Sequence, residues 1–236
     1  MFVRRFALVL SIVFCGSLAL AAAGIAAGGL GPGKYSFENT AADAFFGMGK
    51  KGGPPAPSWS VSVNHGLNSF KSGGGEPYVT NNTVVFVTEF DANGGGGYGC
   101  FVIPDADFVV AKDLQSASLH TTLTADEECG GYGGPVGGGK DAIYAGGKGG
   151  GGLTLPVSVD VTWSGFGAIT TNTNSFRTRC LNFNEDATST VDSMAAGAAG
   201  SISALSGAFT ADFSDVTRSR GNFDITNTPQ AACLGY

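Results

Sequence analysis

Side chains that could act as a catalytic base are rare in this sequence. It holds two histidines, His65 and His120. A serine or cysteine nucleophile needs a base beside it, most often histidine. His65 precedes a glycine, which predicts a turn, and His120 falls on the polar side of an alternating segment. With no Gly-x-Ser-x-Gly elbow and no His-Glu-x-x-His helix, the sequence predicts a non-catalytic protein without a cofactor; a hydrolase with a dispersed site is the less favoured alternative.

Three groups of carboxylates could bind a hard cation. Asp105 and Asp107 lie two positions apart, on the same side of an expected extended segment. Asp126–Glu128 is a run of three, and Glu185–Asp186 is a pair. Calcium takes several oxygen ligands at once, so a loop of this kind can hold it. The spacing matches no EF-hand loop, and solvated loop charge is the favoured interpretation. The sequence predicts no metal site, and a structural calcium ion is kept as an alternative.

Phosphate-binding chemistry is disfavoured by both motif and charge. The run Gly134–Asp141 has the glycine and lysine spacing of a P-loop, but it ends in Asp where Ser or Thr must hold magnesium. Lys and Arg number 13 against 19 Asp and Glu, a net charge of −6. Phosphate neutralisation needs clustered Lys and Arg. The sequence therefore predicts neither nucleotide nor nucleic acid as a partner.

Two tyrosines in glycine-rich segments are the candidate binding residues. Tyr98 and Tyr132 each stand among glycines without apolar neighbours. Tyrosine supplies amphipathic contact area at small entropic cost, which suits a binding surface. The alternative is that each ring covers a nearby disulfide. Trp59 and Trp163 lie on the apolar sides of alternating segments and are expected in the core.

The N-terminus is typical of an exported protein. Arg4 and Arg5 precede an uncharged run, Phe6–Ala27, with small residues at its end. We interpret residues 1–27 as a secretory signal peptide, which places the mature protein outside the cell or in a periplasm with no membrane span after processing. Because the run has about the 20 residues that cross a bilayer, an N-terminal anchor through residues 6–27 is the alternative.

The cysteines left after processing predict two disulfides. An even number of cysteines in an oxidising compartment is typical of a disulfide framework. A zinc site is disfavoured because no Cys-x-x-Cys pair is present. A meander between the first two would bring them together, so we expect Cys100–Cys129 and Cys180–Cys233, a pairing that would also place Tyr98 near Tyr132.

The mature chain reads as a spacer followed by one β domain. Residues 28–57 are rich in Gly, Ala, Pro and Lys, which predicts a spacer, and residues 58–236 form the domain. Side chains alternate with period two at Trp59–Val63 and Leu155–Ser164, typical of half-buried strands. Only Ala187–Ala199 has a composition compatible with a helix. The predicted core residues are Val61, Val84, Phe86, Leu119, Val159, Val161 and Trp163.

Eight or nine such strands predict an antiparallel β-sandwich with long glycine-rich loops. Glycine makes up 39 of the 236 residues, against an average share of about 7%. The expected function is that of a secreted, non-catalytic module, either a binding protein or a surface structural protein. A carbohydrate-binding or adhesive module is the alternative, and the expected partner is an unknown extracellular molecule or glycan.

Overall fold

The computed structural model describes a chain built almost entirely of strands. The signal segment 1–27 lies outside the described residues. Within the described part of the chain, no helix has the length and hydrophobicity needed to cross a membrane. The described residues are 32–47, 58–72, 78–90, 97–125, 129, 153, 155–203, 209–211 and 213–227.

Eleven strands are defined within these ranges, with one 3-10 turn at Asp105–Asp107. The strands are β1 (Gly33–Gly47), β2 (Ser58–Ser72), β3 (Tyr78–Phe90), β4 (Tyr98–Ile103), β5 (Phe108–Val110), β6 (Ser116–Leu123), β7 (Val157–Gly165), β8 (Thr170–Cys180), β9 (Phe183–Ile202), β10 (Phe209–Thr210) and β11 (Phe213–Thr226).

The strands form one curled antiparallel sheet, in the order β4-β3-β2-β1-β11-β9-β7-β6-β5. All pairings are antiparallel, so the all-β antiparallel prediction is confirmed. The predicted sandwich of two sheets is not confirmed. Strand β9 pairs with β8 and β7 along one edge and with β11 and β10 along the other. This 20-residue strand thereby joins regions that a sandwich would separate.

The first strand comes from the segment predicted to be a spacer. Residues Gly33–Gly47 pair with β2 and β11 and occupy the middle of the sheet. Tyr35, Phe37 and Phe46 supply the apolar side chains that this position needs, and all three are buried. The high glycine and proline content of residues 28–57 indicated a spacer, although this short apolar stretch lies within them. The prediction of a spacer is therefore corrected for Gly33–Gly47.

The segment Ala187–Ala199, the one stretch compatible with a helix, is part of β9 instead. Strands lie on both edges of β9, and the backbone of β7 approaches it closely. A Cβ atom added at Gly200 would lie 1.9 Å from the carbonyl oxygen of Asp160. Small residues are therefore present because the strands pack closely, and tertiary pairing overrides alanine's helix propensity.

The main core fills the curl of the sheet. Trp163 of β7 donates an indole N–H bond of 2.9 Å to the carbonyl oxygen of Asp43 in β1, and two strands, β11 and β9, lie between them in the sheet. Of the predicted core residues, five are buried: Val61, Leu119, Val159, Val161 and Trp163. Trp59 is also buried, as predicted.

The predicted register of β3 is wrong by one residue. Val84 and Phe86 are only partly buried, whereas Val85 and Val87 are fully buried. In the sheet Val85 lies opposite Val63, which is itself buried. Since β3 is apolar on both sides, its own alternation could not indicate which side faces the core; the pairing with β2 decides it.

The long strands β1, β9 and β11 change their buried side halfway along. In β1, Tyr35 and Phe37 are buried near one end, and Ala42, Ala44 and Phe46 near the other. Adjacent side chains of a strand point to opposite faces, and the pairing of β1 with β11 continues without a bulge. The half of the sheet that contains Ala42, Ala44 and Phe46, which we call the closed half, therefore buries one face. The half that contains Tyr35 and Phe37, which we call the open half, buries the opposite face.

A disulfide closes the meander between β4 and the segment after β6, as predicted. Cys100 and Cys129 are bonded, with their Cα atoms 5.3 Å apart, and the Cys129 N–H donates to the Cys100 carbonyl. Cys180 is also disulfide-bonded. Its predicted partner, Cys233, lies outside the described residues, so that pairing stays a prediction.

We expect loss of the first disulfide to destabilise the protein moderately. Closing a loop of 29 residues restricts the unfolded chain, which corresponds to about 3.6 kcal/mol. A double Cys100→Ser, Cys129→Ser variant tests this by urea unfolding. A loss below about 1 kcal/mol would mean that the unfolded chain is compact enough to make the bond redundant.

Candidate functional site

The open half carries a polar face with two shallow depressions that share Thr188 and Asn222. Their volumes are about 390 and 520 Å3. We call them together the polar groove. Its floor is formed by strands β1, β2, β8, β9 and β11, whose outward side chains here are mostly hydroxyl, amide and charged groups. Six residues characterise it: Ser36, Glu38, Arg177, Thr188, Arg220 and Asn222.

Hydroxyl groups are aligned across β8 and β9 beside the polar groove. Thr173 and Thr190 are directly paired in the sheet, and their hydroxyl oxygens lie 3.1 Å apart. Thr171 donates a 2.7 Å bond to Asp192, which also accepts a 3.2 Å bond from Arg220. The cross-strand bonds hold these side chains in fixed positions, so the groove presents an ordered set of donors and acceptors.

An ion cluster forms the β8 end of the groove. Arg177 Nε lies 2.6 Å from Asp186 Oδ1, and Arg179 Nη2 lies 2.8 Å from Oδ2 of the same carboxylate. The hydrogen bonds from Arg177 and then Arg179 hold the pKa of Asp186 below its ordinary value. Asp186 is therefore ionised at neutral pH and keeps both guanidinium groups close to the strand.

A second polar cluster lies where the open half meets the closed half. Asp105 accepts a 2.7 Å bond from the Thr83 hydroxyl and a 2.8 Å bond from the Asn81 amide. The nitrogen His65 Nδ1 lies 2.8 Å from Thr83 Oγ1. Since the Thr83 hydroxyl donates to Asp105, it accepts from His65. His65 thus lies within β2, not in the predicted turn.

This cluster is suited to holding the 3-10 turn against the sheet. Its hydroxyl, on Thr83, is 0% exposed and is not accessible to a substrate. Asp105 and Asp107 belong to the 3-10 turn, where the sequence predicted an extended segment. Asp105 uses both carboxylate oxygens on the sheet, so the turn is anchored by three side chains at once.

A carboxylate pair lies on the side of β1 and β11 that faces away from the core. Asp43 and Asp215 are directly opposite each other. Burial and, to a smaller extent, the nearby charge of Asp43 together raise the pKa of Asp215 to about 7. Burial also raises the pKa of Asp43, partly offset by a hydrogen bond from Ser62. The atom Asp215 Oδ1 is buried and has no hydrogen-bond partner within the described residues.

Of the two predicted binding tyrosines, Tyr98 lies within the described residues and Tyr132 does not. Tyr98 begins β4 and is 52% exposed, which leaves its ring accessible. Tyr132 lies outside the described residues, as does the run Asp126–Glu128. The predicted tyrosine pair therefore stays a prediction.

The remaining candidate site residues of the sequence analysis lie on different strands. His120 lies on the exposed side of β6, where its Nδ1 is 2.9 Å from Asp160 Oδ1. Glu185 is buried in β9, which raises its pKa, while its neighbour Asp186 serves the arginines on the other face. Groups of three or more metal-ligating side chains are not found where the structure is described.

Sequence reasoning missed the polar groove and the Asp43–Asp215 pair. The Thr171, Thr173 and Ser175 hydroxyls alternate along β8, which was a signal for one polar strand face. Their alignment with Thr188 and Thr190 depends on the hairpin register. Asp43 and Asp215 come from distant parts of the chain, and only the pairing of β1 with β11 brings them together.

The fold and this site define an all-β protein with one curled antiparallel sheet and a polar groove on its open half. No family model, curated protein or solved structure matches the chain.

Proposed function

We propose that this chain is an exported, non-catalytic module that binds a polar extracellular ligand in its polar groove. The observation that carries the proposal is the ordered set of hydroxyl, amide, carboxylate and guanidinium groups on one sheet face. Cross-strand pairing among the five strands of the groove fixes these groups before any ligand arrives. Pre-organised polar groups lose little conformational freedom on binding, which favours affinity.

The chemistry of the groove favours a polyhydroxylated ligand such as a glycan. Glu38, Arg220 and Asn222 line it together and offer both donors and acceptors. Sugar hydroxyls need both at once. The sequence-based alternative, a carbohydrate-binding module, is thus the form of the proposal that these side chains support best.

A binding role is supported over a catalytic one by the state of the candidate acid–base groups. His65 Nδ1 is engaged by the Thr83 hydroxyl at 2.8 Å, and Asp105 is engaged by two hydrogen bonds. Asp186 is held by two arginines. These groups are arranged as structural supports, with their hydrogen-bonding capacity already in use.

Binding to a glycan array or to insoluble polysaccharides tests the proposal. We expect retention of the wild-type protein, and we expect Arg220→Ala to weaken binding at least about tenfold, since a charge-assisted hydrogen bond contributes about 1.5–3 kcal/mol. Lys112→Ala is the matched control, because Lys112 is an exposed cation away from the groove. It should bind like the wild type.

The same assay separates the groove from the tyrosine surface. If Tyr98→Ser abolishes binding and Arg220→Ala does not, the glycine-rich loops carry the ligand. A protein that binds no glycan on the array contradicts the ligand class proposed here.

A further inference from the structure

Strand β8 is an edge strand of the described sheet. It pairs with β9 alone among the described strands, and every residue from Thr170 to Arg179 is exposed. The pairing with β9 continues in one register over the whole strand. This edge is therefore long, regular and accessible.

The backbone groups of alternate β8 residues point away from the sheet. The side-chain hydroxyl of Ser193 in β9 donates to the Thr170 carbonyl oxygen. The Arg179 guanidinium donates to the carbonyl oxygens of both Thr178 and the residue paired with it, Glu185, so both oxygens lie between the two strands. The even-numbered residues of β8 thus direct their backbone toward β9. In an antiparallel strand the odd-numbered residues then present N–H and C=O groups to the outer edge. An unpaired edge of this kind is a template for another strand.

The usual protections of an edge are missing from β8. Natural edge strands carry proline, lysine, bulges or inward-pointing charges that block pairing. Between Thr170 and Cys180 there is no proline, glycine or lysine. Arg177 and Arg179 both form ion pairs with Asp186 of β9, so their guanidinium groups do not extend across the outer edge of β8 as free charges.

An aromatic cluster ends at this edge, on the face opposite the polar groove. Phe176 is 44% exposed, and its ring centroid lies 6.2 Å from that of Phe223. Phe223 in turn lies 5.8 Å from Phe37. The rings are continuous from β1 across the sheet to β8. The buried members of this aromatic patch are Tyr35, Phe37, Phe183, Ala187, Phe223 and Ile225.

We propose that β8 pairs with β8 of a second copy of this chain, antiparallel and centred on Phe176. In this register the two Phe176 side chains lie directly opposite each other, on the same face as the aromatic patch. Aromatic pairs across two strands stabilise a sheet. The pairing covers the exposed end of each aromatic patch, and it provides hydrogen-bond partners for the outward N–H and C=O groups of both copies.

Charge selects this register over its neighbour. With Phe176 at the centre, Arg177 lies opposite Ser175 of the other copy and Arg179 lies opposite Thr173. A shift that centres the pairing on Arg177 would bring the two Arg177 side chains face to face, which is unfavourable. The strand is thus complementary to itself, which is what a two-fold symmetric interface requires.

The dimer would have one continuous sheet, because antiparallel pairing about a two-fold axis keeps corresponding faces on the same side. The polar grooves of the two copies would then lie on one common surface. This inference does not depend on what the groove binds.

Cross-linking tests the register directly. Residues opposite each other without mutual backbone bonds have Cα atoms about 4.5 Å apart, within the range that a disulfide spans. We expect full-length Phe176→Cys to form covalent dimers under mild oxidation. Phe166→Cys is the control, because Phe166 is 60% exposed and lies outside the strand. Equal cross-linking of the two variants would overturn the proposal.

Sedimentation velocity tests the association itself, across protein concentrations of about 1–100 μM. We expect a reversible dimer for the wild type. Phe176→Ser should raise its dissociation constant at least tenfold, while Phe166→Ser should leave it unchanged. Ser175→Pro, which removes one outward N–H without a bond to β9, should weaken it as well, and circular dichroism checks that each variant is folded. A wild-type protein that stays monomeric over this range would refute the dimer.

Discussion

We expect Asp215→Asn to raise the free energy of unfolding by about 4 kcal/mol at pH 8 and to change it little at pH 4. The amide cannot ionise, so the cost of burying a charged carboxylate at this position is removed, together with the smaller repulsion from Asp43. It also provides an N–H donor, and the facing Asp43 can accept from it. Chemical denaturation at the two pH values measures the difference.

The sign follows from the direction of the pKa shift. In the folded protein the pKa of Asp215 is about 7, whereas in the unfolded chain it is near its ordinary value of about 3.9. The folded state therefore holds the proton more tightly. Its contribution to stability is fully present below about pH 4 and is lost as the pH rises to about 7, a change of about 4 kcal/mol.

The control for this experiment is Asp224→Asn. Asp224 is on the same strand but exposed, with Lys34 Nζ 4.0 Å from its carboxylate. A substitution of this kind changes stability by less than about 0.5 kcal/mol. If Asp215→Asn gave the same small change at both pH values, the carboxylate would be solvated in the folded protein.

We expect Val85→Asp to unfold the protein and Val84→Asp to be tolerated. Val85 is 0% exposed in the core of the closed half, where a carboxylate would lack a partner. Such a burial costs at least about 5 kcal/mol, comparable to the net stability of a domain. Val84 is only partly buried, so its carboxylate can reach water.

Thermal unfolding followed by circular dichroism measures both variants. The pair distinguishes the observed register from the one that the sequence predicted, because that prediction reverses the order. Val161→Asp, at a fully buried position of β7, should unfold the protein under either register and serves as the positive control.

Sequence patterning was informative where one side of a strand is polar. Trp59, Val61 and Val63 alternate with polar residues, as do Val159 and Val161, and their burial follows the alternation. The prediction failed for β3 because both sides are apolar. It failed for β9 because its alanines carry a helix signal, while the actual role of its small residues is to allow strands to approach closely.

The candidate site was harder to predict because it depends on contacts between distant segments. Asp105 meets Asn81 and Thr83 only after the chain turns back on the sheet. Arg220 reaches Asp192 across two paired strands. In the sequence each of these residues is typical of an exposed polar position, and only the strand register makes them neighbours.

The change of buried side in β1, β9 and β11 has a consequence for how these strands can vary. The change falls near Asn39–Ala41, Val191–Ser193 and Thr217–Ser219, which lie side by side in the sheet. A single inserted residue at this level in one strand would move its apolar side chains to the wrong face in one half only. The neighbouring strands would then oppose polar groups to apolar ones. We therefore expect all three strands to keep the same alternation of side chains between the two faces, and none of them to gain or lose a single residue on its own. The three strands are constrained together in this way although they are far apart along the chain.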